Sequence, residues 1–268
     1  MLMMMDKQVL HWGGVDNGNM IKKVVDRLWT SGVAVTPTRV GYIMPCIDAI
    51  GLDRMFALKG RAKSKPGVVL AISPEHVFML AQTSDKIRQL YERCYGEYQE
   101  LDETKSVLLG CILPWHPRAL SAYVKEDCWP MMSDRKPFVR TSCFVIRYGI
   151  PSEAVAHNLW AQHGKLTFAS SANPSKQGNR GELAGVGSKI LDGVDVILEA
   201  DAYVKKQQPA ATAETRWEQG VMVSFVDKVT GFLTDTPRII RHGHQLEQVR
   251  GHLTAVFGFF EDAHGDYY

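Results

Sequence analysis

The sequence predicts a mixed α/β fold, a twisted sheet with covering helices, on three observations. Short apolar runs alternate with segments of helical period along most of the chain. A hydrophobic fraction of 45% and a charged fraction of 22% are those of an ordinary globular protein. No internal repeat or low-complexity linker interrupts the 268 residues, so the chain reads as a single domain long enough to bury a sizeable core.

The elements follow in order. Residues 19–31 read as a helix capped by Asn19, with Ile21, Val24, Val25, Leu28 and Trp29 at helical spacing and Gly32 as its stop. A short buried strand, 33–35, ends at Pro37. A second helix carries Ile47, Ile50, Met55 and Leu58, and 66–72 reads as a buried strand. Residues 74–100 form two helical pieces, with Pro74 in a first turn and Ser84 or Asp85 as a cap. Residues 107–113 and 138–147 are strands. The stretch between them, 114–137, holds several prolines with Trp115 and Trp129 and reads as a long loop with one short helix. A helix at 151–162, a strand at 165–169, a helix at 182–191 and a strand at 194–198 follow. Residues 200–219 are polar and predict a mobile loop. Late strands at 221–226 and 238–241, a helix at 244–258 and a frayed tail at 261–268 complete the reading.

The net charge of +2 is too small to attract a nucleic acid or a membrane in bulk, so any anion site must come from local clustering. Five cysteines, Cys46, Cys94, Cys111, Cys128 and Cys143, form no C-x-x-C pair and no disulfide framework, which points to a reducing, cytoplasmic compartment. The start lacks a basic region followed by an apolar stretch, and no run of about 18 apolar residues occurs, so neither a signal peptide nor a membrane partner is expected.

Two stretches carry chemistry. In Lys59-Gly60-Arg61-Ala62-Lys63-Ser64-Lys65-Pro66 a cation stands at every second position. An extended chain would point all four to one side, where they form either a solvated edge or an anion site. Ser170-Ser171-Ala172-Asn173-Pro174-Ser175-Lys176-Gln177-Gly178-Asn179 follows a strand. Its hydroxyls and amides can donate to phosphate or carboxylate oxygens, and the same residues are what turns use. Pro37-Thr38-Arg39-Val40-Gly41-Tyr42, Arg147 at a strand end, and Arg241-His242-Gly243 are weaker signals. No P-loop, dinucleotide fingerprint, H-E-x-x-H or G-x-S-x-G occurs, and His242 with His244 reads as a surface pair.

Taken in order, these stretches resemble the YrdC-like family, the threonylcarbamoyl-adenylate synthases. The resemblance rests on Pro37-Thr38 with Tyr42, on Phe56, Lys59 and Arg61 with Lys65-Pro66, on Arg147 before Pro151, on Ser170-Ser171-Ala172-Asn173, and on Arg241 with Gly243. It covers about residues 20–245. It implies a mixed α/β domain with a concave basic cleft. It also implies an enzyme, a nucleotidyltransferase that joins L-threonine, bicarbonate and ATP into threonylcarbamoyl-AMP and releases pyrophosphate, for modification of adenosine 37 in tRNA. Lys59 and Arg61 would be the catalytic cations. They would hold the triphosphate with Ser171, Asn173, Ser224 and Arg241, around one shared polyanion. Thr38, Tyr42 and Arg147 would line the amine side. No protein metal ligand is implied; Mg2+ would arrive with the nucleotide. A downstream carbamoyl-transfer enzyme is an implied partner.

The chain departs from the family pattern mainly on the amine side. Val40-Gly41-Tyr42-Ile43 replaces T-x-Y-G, Ala62 replaces a proline, the W-P-G-P-x-T segment is missing, and 114–137 reads as an insertion. These departures motivate a variant that activates another amine. A non-catalytic RNA-binding protein and a regulatory paralogue on the same scaffold are the readings outside catalysis.

Overall fold

A computed structural model describes residues 7–13, 16–60, 67–96, 103–124, 133–136, 139–174, 178, 181–212 and 217–265. In chain order the strands are β1 (Gln8–His11), β2 (Ala34–Thr38), β3 (Gly41–Cys46), β4 (Val68–Leu70), β5 (Leu109–Pro114), β6 (Ser133–Lys136), β7 (Val139–Ile146), β8 (Phe168–Ser171), β9 (Val196–Glu199), β10 (Val221–Val226), β11 (Leu233–Arg241) and β12 (Glu261–Asp262). The helices are α1 (Asn17–Trp29), α2 (Ala49–Lys59), α3 (Pro74–Leu80), α4 (Asp85–Tyr95), α5 (Pro117–Tyr123), α6 (Ile150–His163), α7 (Ser188–Gly193), α8 (Asp201–Gln207) and α9 (Leu246–Phe257). They assort into two compact units, Met1–Lys63 with Gly149–Trp217 and Ser64–Tyr148 with Glu218–Tyr268. Each unit is mixed α/β, as the alternating pattern predicts.

In the first unit the strand order is β1-β9-β2-β3-β8. β9 is parallel to β1 and β2, while β3 runs antiparallel to both β2 and β8. Helix α1 presents Ile21, Val24, Val25 and Leu28 to Val155 and Leu159 of α6 and to Val196 and Leu198 of β9. This is the apolar stripe read from the sequence, buried on one face. Helix α6 begins at Gly149, where Pro151 needs no donor partner and the Gly149 N–H donates to Glu153 Oε1 at 3.0 Å. Ser152 fastens α6 to β2: its hydroxyl donates to Pro37 O at 2.6 Å and lies 2.8 Å from Thr36 Oγ1, whose own hydroxyl can donate in return. Across the unit, Asp195 accepts from Val33 N at 2.7 Å and from Arg54 Nη1 at 2.8 Å.

The second unit has β4-β7-β5-β10-β11-β12, with β6 also pairing β7. β7 is parallel to β4 and antiparallel to β5, and β10 is parallel to β5 and antiparallel to β11. Ser73 and Ser84 cap α3 and α4 by accepting from His76 N and Ile87 N. Trp115 and Phe144 meet edge to face at 5.0 Å, and Phe225 packs on Phe257 of α9 at 5.3 Å. Among the described residues, no helix is long and apolar enough to cross a membrane.

Five expectations need correction. Helix α1 starts two residues earlier than read, after Asp16, and Asn19 spends its amide on Asp16 Oδ2 at 3.0 Å instead of capping. β3 was hidden in a turn-like stretch; Thr38 and Gly41 close a tight hairpin, and Gly41 adopts φ +104°. The polar stretch 200–219 contains α8, which buries only Val204 and so shows no helical stripe. Residues 182–191 divide into a short 3-10 turn, Leu183–Gly185, and α7. The tail is pinned as β12, where Ala263 N–H donates to Ile239 O at 2.9 Å and Asp262 meets both His242 and Arg250.

Candidate functional site

Lys59 closes the last turn of α2, where a cation complements the helix C-terminus. Asp48 caps the other end by accepting from Gly51 N at 2.8 Å, and Gly60 leaves the helix in the left-handed region at φ +59°. The helix thereby carries the Lys59 ammonium inward, and the residue is only 4% exposed. Its Nζ donates to the backbone carbonyl of Ser171, and Ser171 Oγ lies 3.4 Å away. Residues 112 positions apart in the chain, read separately as a basic stretch and a turn, therefore meet in the first unit.

The turn is built on β8. Ile43 pairs with Ser171 and Met44 with Ser170, and the Ala172 N–H donates to Tyr42 O at 2.7 Å. Asn173 is 5% exposed, and its Nδ2 donates to Pro174 O at 2.9 Å. Its Oδ1 makes no hydrogen bond among the described residues, which leaves one buried acceptor open at the turn. The end of α2 and the end of β8 thus bring together a buried cation and a hydroxyl, with the Asn173 amide on the same turn; the ammonium, hydroxyl and amide N–H are the groups that can donate to an oxyanion, while Asn173 Oδ1 would accept from a donor.

Thr38 and Tyr42 stand on the β2–β3 hairpin. The Thr38 hydroxyl donates to Gly41 O at 2.7 Å and accepts from Val40 N at 3.2 Å. The Tyr42 hydroxyl donates to Asp201 Oδ1 at 2.7 Å and accepts from Ala200 N at 2.8 Å. Burial pushes the phenol well above its ordinary range, and Asp201 adds to this. Burial alone would raise Glu199, but the Asp201 N–H and His11 outweigh it and hold that carboxyl below its usual value.

Arg147, Ser224 and Arg241 belong to the second unit. Arg147 takes a left-handed backbone at φ +55°, donates through Nε to Tyr95 O at 2.8 Å, and lays its guanidinium 3.9 Å from the Tyr95 ring centroid. Arg241 Nε donates to Gly220 O at 2.9 Å. Ser224 is buried on β10 and accepts from Val226 N at 3.3 Å. Arg61 lies outside the described residues. His242 faces Asp262 and stacks on His264 with centroids 4.3 Å apart. Among the described residues, no group of three His, Cys, Asp or Glu side chains is arranged to hold a metal ion. Cys46, Cys94, Cys111 and Cys143 are buried, and burial pushes the thiols of Cys94 and Cys143 up to about 12, far from a tuned nucleophile.

Sequence reasoning missed Asp201 and the acceptor role of Glu199. The only signal was a Glu-Ala-Asp run just past a strand, inside a stretch whose composition reads as loop.

No family model and no curated protein matches the chain. Solved structures do. A hypothetical protein, smu.1377c from Streptococcus mutans UA159, is 37% identical over 98% of this chain and 100% of its own, with a TM-score of 0.82. P. abyssi Sua5, solved in complex with L-threonine, is 16% identical over 98% of this chain and 68% of its own, with a TM-score of 0.63. E. coli YciO is 13% identical over 89% of this chain and 96% of its own, with a TM-score of 0.59. The last two likenesses show the fold: the chain is Sua5-like in architecture.

Proposed function

We propose, for a chain that belongs to one family with the Streptococcus mutans protein smu.1377c and carries the Sua5-like fold, the ATP-dependent formation of a carbamoyl-adenylate. The observation that carries this reading is the buried Lys59 ammonium seated on Ser171, on the turn that also carries Asn173. A buried cation fixed at a helix end needs little reorganisation when charge develops on a departing pyrophosphate. L-threonine is the first substrate to test, since the Sua5 relative was solved with it.

In this reading a carbamate, formed from the amine and bicarbonate with loss of water, attacks the α-phosphorus of ATP through an oxygen. The bond from the α-phosphorus to its β-bridging oxygen breaks, and pyrophosphate leaves with that electron pair. No protein nucleophile takes part. Lys59 and Arg61, with Ser171, Asn173, Ser224 and Arg241, would hold the triphosphate, while Thr38, Tyr42 and Arg147 would serve the amine side. Magnesium would come with the nucleotide and offset its charge. The product would pass to a carbamoyl-transfer enzyme acting on tRNA.

The test is pyrophosphate release from ATP in the presence of bicarbonate and each of a panel of amino acids and other amines. Threonine-dependent release supports the full reading. Release with a different amine keeps the chemistry and replaces the substrate, as the altered P-T segment suggests. Absence of release with every amine, together with tight, salt-sensitive RNA binding, would overturn it in favour of a nucleic-acid role.

A further inference from the structure

We propose that Asp201 is a positioning residue for the nucleotide turn and acts through Tyr42, an inference that rests on the nucleotide reading above. Tyr42 touches both partners at once. Its backbone carbonyl accepts from Ala172 N at 2.7 Å, inside the Ser171–Asn173 turn. Its hydroxyl, at the other end of a side chain 2% exposed, donates to Asp201 Oδ1 at 2.7 Å and accepts from Ala200 N at 2.8 Å. The same Asp201 oxygen accepts from Leu183 N at 2.8 Å, so one carboxylate oxygen ties β3 to the segment that returns from the turn.

Asp201 is itself held. Its N–H donates to Glu199 Oε1 at 2.9 Å, and Glu199 Oε2 meets His11 Nδ1 at 2.8 Å. The aromatic ring between the hydroxyl and the backbone of Tyr42 is rigid, so the position of the phenol oxygen sets that of β3 and of the Ala172 hydrogen bond. Through this relay, a residue that contacts neither Lys59 nor Ser171 fixes where the turn presents its hydroxyl and amide. The resemblance assigns Tyr42 to the amine side; the hydrogen bonds assign its weight to the nucleotide side.

The experiment measures ATP affinity by calorimetry on the full chain, with hydrogen exchange at the Ala172 amide as the companion readout. Tyr42→Phe removes only the hydroxyl, Asp201→Ala removes the acceptor, and Asp201→Asn keeps an oxygen that both donors can reach. Tyr42→Phe and Asp201→Ala are each expected to weaken ATP binding about fivefold to tenfold, a change of the size one lost buried hydrogen bond produces. The double variant should lose no more than the larger single loss, and the Ala172 amide should exchange faster. Asp201→Asn should remain within about twofold of the parent protein, as a retained acceptor requires. Parent-like ATP binding in Tyr42→Phe would overturn the inference even if Asp201→Ala fails to fold. Parent protein that binds no ATP would instead remove the nucleotide reading, and this inference with it.

Discussion

The two units hold the residues that the sequence singles out in different ways. In the first, side chains far apart in sequence reach one another: Lys59 finds Ser171, Tyr42 finds Asp201, and Arg54 finds Asp195. In the second, Arg147 and Arg241 donate to the backbone carbonyls of Tyr95 and Gly220, and Ser224 accepts from Val226, two residues on. Long-range polar contacts fix the relative placement of several elements of the first unit. In the second unit, contacts to backbone hold the stems of Arg147 and Arg241. The first unit is tied by contacts between distant side chains, and these two arginines of the second by contacts to backbone.

The sharpest way to break this contrast is to exchange the charges one at a time. Lys59→Met keeps the buried volume and removes the ammonium; ATP-dependent turnover should fall about 100-fold, the usual scale for a lost electrostatic donor. Arg241→Met in the second unit is the matching experiment. An equal loss, read as pyrophosphate release, would show both units serving one reaction, whereas a parent-like rate would confine the chemistry to the first unit.

A smaller effect should separate the units by stability. Gly181 sits at φ +73°, and a Cβ there would fall 2.0 Å from the ring of Trp217, which is 1% exposed and donates to Thr212 O at 3.0 Å. Gly181→Ala should destabilise the first unit by roughly 2–4 kcal/mol, because a buried indole must move and the backbone is strained as well. Thermal unfolding followed by Trp217 fluorescence would detect it, and an unchanged midpoint would show that the packing around Trp217 yields easily.

Acid should act on the second unit through His76. Burial lowers this imidazole from 6.5 to about 4, and its Nδ1 accepts from Ile72 N at 3.3 Å. The folded state holds the ring neutral while the unfolded chain takes up a proton below about pH 6.5, so protonation favours unfolding. The contribution is intact above that pH, declines as pH falls, and is lost by about pH 4, a span of roughly 3 kcal/mol. His76→Gln should flatten the dependence of the denaturation midpoint on pH between these limits; an equally steep variant would point to other groups.

The same contrast explains what could be read in advance. Periodicity exposed α1, which buries Ile21, Val24, Val25 and Leu28 in a stripe of about two turns. Capping chemistry located Ser84 and Pro74 at their helix starts. It failed for α8, whose single buried valine leaves no period, and for β3, whose glycine and proline look like a turn until β2 and β8 flank it. The turn at Ser171 was legible as a donor-rich strand end, and Lys59 as part of a basic stretch. Their contact was not legible, since nothing local links residue 59 to residue 171.

What the sequence by itself determined is the local chemistry: where helices start and stop, which faces are apolar, and which short stretches concentrate donors and positive charge. These depend on interactions within a few residues, which the order of amino acids encodes directly. Only the tertiary structure decided that Lys59 turns inward onto Ser171, and that Asp201 in an unremarkable polar stretch holds Tyr42. Both follow from strand pairing and helix packing across long loops, where closure entropy is offset by burial summed over the whole unit rather than by any one motif.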